Sequence, residues 1–174
     1  MDVMLLRLFQ EHVLLQCEFI IFAAEDLNVA LKQGDDERVF NAIQSLLSSQ
    51  ANISKALWGE GRRKVKERER LRSSIGVDDS SPFHTTDMRD NYDHYDERLE
   101  RWWRDSKRHI YIGLCIGPLS AIGGVELKDR FRSYDPATKK AYFWDQESDI
   151  QALLKEVMRV LPTLREEAAK PHWE

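Results

Sequence analysis

Two long segments near the start of the chain, residues 2–32 and 36–58, carry apolar side chains at intervals of three and four, which is the period of an α-helix. Gly34 is typical of a helix end, and Asp35 or Asp36 is typical of the cap that begins the next helix. We therefore expect two antiparallel helices joined by a short loop. The pattern residues are Leu5, Leu8, Phe9, His12, Leu15, Phe19, Phe22, Ala23 and Leu27, then Val39, Ile43, Leu46, Leu47, Gln50, Ile53 and Leu57.

The stripe of the first segment is unusually broad, because Leu6, Val13, Ile20 and Ile21 widen it. A wide apolar face predicts contacts on more than one side of the helix. Those contacts are made either by the centre of a helical bundle or by a second subunit.

The pattern changes in the last third of the chain. Residues 109–116 are short, β-branched and apolar, which favours a strand, and residues 130–134 and 140–144 flank a turn and predict a hairpin. Ser148 and Gln151 have the spacing of a capping box, so the last helix is expected to begin there. Pro162 is expected to end or kink that helix and to leave residues 163–174 as a weakly held tail.

These patterns predict a mainly α fold: an up-and-down helical bundle with a small β-hairpin or sheet inserted at about 108–144, before the last helix. The length of 174 residues suits one domain over 1–174. The net charge of −4 argues against a protein that coats nucleic acid, although a local basic patch remains compatible with RNA binding. The two cysteines, Cys17 and Cys115, lie in apolar surroundings and are expected to be buried and reduced.

Residues 13–24 are apolar enough to raise the question of a membrane segment. Arg7, Glu11, His12 and Glu18 interrupt any run of the roughly 18 residues that a span needs. We therefore expect no membrane insertion and a cytoplasmic location.

The histidines at positions 12, 84, 109 and 172 are scattered and match no zinc spacing, so neither a metal nor another cofactor is expected.

Residues 88–103 read as one amphipathic helix. Its apolar stripe would hold Met88, Tyr92, Tyr95, Leu99, Trp102 and Trp103. The opposite face would present Asp90, Asp93, His94 and Glu97, with Arg89 on its flank, about 140° from His94 on the helical wheel. Arg89 and His94 could then bracket a bound group.

The spacing Arg89-x4-His94 and the run from His94 to Leu99 resemble the HEPN superfamily, whose small helical bundles include metal-independent ribonucleases and toxins. The resemblance implies a composite site at a homodimer interface, where each Arg89/His94 pair meets its copy. It also raises the prospect of an antitoxin or defence partner.

The residue types fit cleavage of RNA by its own 2′-hydroxyl. His94 could move protons near neutrality, and Arg89 could stabilise charge on the phosphate. Asp90, four residues before His94, could orient the imidazole. The alternative is that Arg89–Asp93 and His94–Asp90 are ordinary helix pairs in a non-catalytic module for dimerisation or for binding a ligand or RNA.

The most charged stretch of the chain is residues 62–72. Its first basic residues, Arg62, Arg63, Lys64 and Lys66, could contact RNA phosphates. The other interpretation is a solvated helix in which neighbouring Glu and Arg residues pair.

Overall fold

Two long helices form the frame of the molecule: α1 (Val3–Gln33) and α2 (Asp36–Leu57). The computed structural model describes residues 1–59, 61–118, 120, 123–144 and 146–173. Gly34 ends α1 in a left-handed conformation with φ 66°, and the Asp35 carboxylate accepts the N–H of Arg38 at 3.0 Å to cap α2. The predicted helix pair and its two boundary signals are confirmed.

The helices that follow are each shorter than α2. They are α3 (Gly61–Glu67), α4 (Glu69–Ser74), α5 (Asp87–Asp93), α6 (Tyr95–Asp105) and the long final helix α7 (Ile150–Ala168). Helix α7 packs along α1, and α5 packs on α2 and on the sheet described below. The centre of the core is fully buried and includes Ile20, Ile43, Leu46, Val157 and Leu164.

A small sheet lies before α7, with strands β1 (Cys115–Ile116), β2 (Ser133–Asp135), β3 (Lys140–Phe143) and β4 (Gln146–Asp149) in the order β1-β2-β3-β4. The strand β1 is parallel to β2, and the other pairs are antiparallel. The predicted fold class is confirmed: a mainly α bundle with a small sheet before the last helix. The strand expected over 109–116 is shorter than predicted, with one further bridge between Ile112 and Arg130.

At the ends of α7, the predicted cap residue is wrong, and so is the prediction that Pro162 ends the helix. Ser148 lies in β4 opposite Ala141, and the cap is Asp149, whose carboxylate accepts the N–H of Ala152 at 2.8 Å. The helix continues through Pro162 to Ala168. Packing offsets the hydrogen bond that proline removes, because Leu164 is fully buried and Glu167 pairs with Arg7 at 2.8 Å.

Cys17 is fully buried, as predicted, and burial raises the pKa of its thiol to about 12. Cys115 is only half-buried, and both cysteines are free thiols.

Within the described ranges, no helix combines the length and hydropathy that crossing a bilayer requires.

Candidate functional site

The predicted motif helix is broken at His94. Helix α5 ends at Asp93 and α6 begins at Tyr95, while His94 takes φ −105° and ψ 38° between them. The backbone hydrogen bonds continue across the junction, from His94 N–H to Asp90 O at 3.0 Å and from Arg98 N–H to His94 O at 3.1 Å. The break is therefore a kink rather than an open loop.

Polar contacts from the sheet side hold this kink. The side chain of Asn91 donates to Gln146 in β4 and accepts from Arg98 Nε at 2.9 Å. Asn91 thus ties α5, α6 and β4 together.

The kink explains why the predicted apolar stripe is only partly right. Met88, Tyr92 and Trp102 are buried, and Tyr95 is half-buried. Leu99 is 38% exposed and Trp103 is 65% exposed, against expectation. A helical wheel drawn for one continuous helix does not apply past His94, because the backbone of this residue is not helical.

Arg89 is held by two carboxylates of its own helix. Its Nη1 lies 3.2 Å from Asp90 Oδ1, and its Nη2 pairs with Asp93 Oδ2. The side chain of Arg89 is 28% exposed. The Arg89–Asp93 helix pair, one of the two interpretations of the sequence, is present.

His94 lies at the surface beside a different carboxylate from the one expected. Its side chain is 55% exposed, and Nδ1 lies 3.5 Å from Glu97 Oε1. The expectation that Asp90 orients the ring is not met, because the Asp90 carboxylate is turned to Arg89. Glu97, three residues after His94, also lies at helical spacing and is the carboxylate that the ring contacts.

The basic run 62–72 divides into two parts. Arg62, Arg63 and Lys66 are exposed and Lys64 is half-buried, while Glu67 pairs with Arg63 at 3.5 Å and with Lys64 at 3.6 Å. These pairs match the solvated-helix interpretation, yet the cationic side chains remain accessible to a ligand.

The later arginines of the run hold the fold. The Arg68 guanidinium lies 3.6 Å from the centre of the Phe9 ring, and buried Arg72 donates to Leu57 O at 2.7 Å and Val65 O at 2.9 Å. Helix α3 packs on α4, whereas α5 packs on α2 and the sheet. The two groups of candidate residues therefore belong to different parts of the fold.

An aromatic cluster that begins at Tyr95, the first residue of α6, was not predicted. The Arg132 guanidinium lies 4.2 Å from the Tyr95 ring centre, and the Tyr95 and Tyr111 hydroxyls are 2.5 Å apart. Burial, helped by the hydrogen bond to Tyr111, raises the pKa of Tyr95 further above its ordinary value of 10.0. These residues are far apart in sequence, and no local spacing joins them.

Among the residues that the structure describes, no three His, Cys, Asp or Glu side chains lie close enough together to hold a metal ion. No protein-family model, curated protein or solved structure matches the chain.

Proposed function

We propose that the chain is a metal-independent endoribonuclease of HEPN type, in which Arg89 and His94 act together. The observation that carries the proposal is the surface position of the His94 imidazole, with Glu97 beside Nδ1. The Glu97 carboxylate lies on the Nδ1 side of the ring, which leaves the other nitrogen, Nε2, to exchange protons. The likeness of the segment from Arg89 to Leu99 to HEPN proteins supports the same chemistry.

Arg89 can serve a phosphate although it is already paired. Ion pairs at a solvated surface are worth about 0–1 kcal/mol, and Asp90 and Asp93 are 44% and 37% exposed. A phosphate that offers two oxygens to the guanidinium can displace or share such partners. The in-chain carboxylates therefore position Arg89 without blocking it.

The reaction needs two proton transfers. His94 accepts the proton of the RNA 2′-hydroxyl as its oxygen attacks phosphorus, and the bond from phosphorus to the 5′-oxygen breaks. The leaving 5′-oxygen then takes a proton. A second copy of the chain would supply a second imidazole as that acid, and the products are a 2′,3′-cyclic phosphate and a 5′-hydroxyl.

Other parts of the proposal follow from the same chemistry. Arg62, Arg63, Lys64 and Lys66 would bind phosphates of the RNA away from the reacting bond. RNA as substrate fits a cytoplasmic location. An antitoxin or defence partner would act by covering the face of His94.

The test is incubation of purified protein with mixed RNA in excess chelator. We expect cleavage by wild type and a loss of at least about a hundredfold in rate for His94→Ala and Arg89→Ala, as expected when a proton-transfer or charge-stabilising group is removed. The matched control is His172→Ala, because His172 is also a surface histidine beside a carboxylate, Glu11, at 2.7 Å. Equal cleavage by wild type and His94→Ala, or intact RNA with both, would overturn the proposal.

A second candidate is a non-catalytic HEPN-like module for dimerisation or ligand binding. The two carboxylates on Arg89 favour it, since they use the guanidinium inside the chain. If this function is correct, Arg89→Ala and His94→Ala lower the melting temperature or dissociate the copies. Residues used for catalysis more often leave stability unchanged or improved.

A further inference from the structure

A strip of exposed apolar side chains runs along α1. Leu15 is 45% exposed, Phe19 43% and Phe22 57%, although each is a large apolar residue. The strip continues to both ends of the helix. We call it the α1 seam, and it consists of Leu5, Leu8, His12, Leu15, Phe19, Phe22, Asp26 and Val29.

The spacing of the α1 seam is that of a surface packed against another helix. Its residues alternate steps of three and four from Leu5 to Val29, which is the a/d repeat of a coiled coil. At 1.5 Å per residue the seam is roughly 36 Å long. Its partner is therefore a helix of similar length.

The size of the seam fits an interface. With about 150–200 Å² per large side chain, the exposed fractions leave roughly 500 Å² of apolar surface in one strip. Exposed apolar patches of more than a few hundred Å² mark interaction sites. With polar edges added, the area approaches the roughly 800 Å² per partner of a standard interface.

The two polar residues within the seam point to a second copy of this chain. His12 and Asp26 both lie seven residues from Phe19, on opposite sides of it. A two-fold axis near Phe19 in an antiparallel arrangement would set each His12 against Asp26 of the second copy. Parallel pairing would instead set Asp26 against its own copy, and like charges repel.

The edges of the seam are compatible with this arrangement. On one edge, Glu11 lies 2.7 Å from His172 and Glu18 lies 3.9 Å from Arg165, so both acidic residues have partners within the chain. On the other edge, a groove of about 250 Å³ runs beside Phe19 and Phe22 and is bordered by Ser45 of α2. An aromatic side chain of the second copy can enter it.

We infer that the α1 seam binds a second copy of the chain through antiparallel packing of α1 on α1. This contact is separate from the ribonuclease site and does not rest on the proposed function. Ser45 borders the groove, and Ser54 donates to His84 O at 3.0 Å in the segment that leads to α5. Ser45 and Ser54 are nine positions apart and therefore lie on opposite sides of α2. The α1 seam and the proposed ribonuclease site are thus on opposite sides of this helix.

The test measures molar mass by light scattering after size exclusion, over a range of protein concentrations. We expect wild type to run as at least a dimer and Phe19→Asp to run at half that mass, with a dissociation constant raised at least about tenfold. The control is Leu127→Asp, since Leu127 is 51% exposed outside the seam, and it should keep the wild-type mass. Far-UV circular dichroism checks that each variant is folded.

Charge reversal tests the antiparallel arrangement at exposed polar positions, where folding is not at risk. His12→Glu and Asp26→Lys should each weaken association, and the double variant should restore it. A double variant no tighter than the single variants would overturn the arrangement.

A wild-type monomer at all concentrations, or an unchanged mass for Phe19→Asp, would overturn the inference as a whole. If the protein is a monomer and sediments with anionic lipid vesicles, the inference is overturned and the seam binds a membrane surface instead. His94→Ala should leave the mass contributed by this contact unchanged, so failure of the ribonuclease proposal does not count against it.

Discussion

Replacing Leu164 with alanine distinguishes a packed end of α7 from the loose tail that Pro162 suggests. Leu164 is fully buried, two residues beyond the proline. The substitution removes three carbon atoms, which is about 2.4 kcal/mol of transfer free energy at about 0.8 per methylene group. The cavity left behind adds to this, and we expect a loss of about 3 kcal/mol in the free energy of unfolding.

For a chain of this length, a loss of about 3 kcal/mol corresponds to a fall in Tm of roughly 6–12 °C. Urea unfolding followed by circular dichroism measures the free energy, and a thermal scan measures the Tm. The matched control is Met158→Ala on the same helix, because Met158 is 61% exposed and should change stability by less than about 0.5 kcal/mol. A loss below about 1 kcal/mol for Leu164→Ala would refute the packed helix end.

Two further predictions concern ionisable groups. Hydrogen bonds from Arg159, then from Ser81, lower the pKa of Glu156. The charged carboxylate therefore stabilises the fold at pH values above its ordinary pKa of 4.5. This stabilisation is lost as the pH falls through the lowered pKa of the folded state. Glu156→Gln should be less stable than wild type near neutrality and the difference should shrink in acid, which urea titrations at several pH values measure; a constant difference would contradict it. Because Cys17 is buried with its pKa raised to about 12, its thiol should resist alkylation at pH 8 in native protein and react after unfolding, as mass spectrometry of the labelled peptides can show; fast native labelling would contradict its burial.

The helical frame could be predicted because its signals are local. The repeats of α1 and α2 are long, and Gly34 and Asp35 mark the loop between them by their own backbone preferences. The hairpin of β2 and β3 was predictable for the same reason, since turn residues separate its two strands.

The rest depends on contacts between distant segments. The kink at His94 is held by Asn91 through Gln146 of β4 and Arg98 of α6, and β4 itself was hidden because Ser148 matched a helix cap. The passage of α7 through Pro162 depends on the burial of Leu164 against the bundle.

The candidate site was predictable as a set of residues but not as a geometry. Arg89 and His94 share the surface at the α5–α6 junction, and the Arg89–Asp93 pair follows from helical spacing. The partner of His94 changed from Asp90 to Glu97 because Asp90 is used by Arg89. Competition between neighbouring charges is not visible in the order of residues.

The most direct test of the central claim is the chemistry of the RNA ends, measured by mass spectrometry after incubation in excess chelator. We predict 2′,3′-cyclic phosphate and 5′-hydroxyl ends with wild type, and intact RNA with His94→Ala. Intact RNA with both proteins, or 3′-hydroxyl ends that persist in the variant, would contradict it.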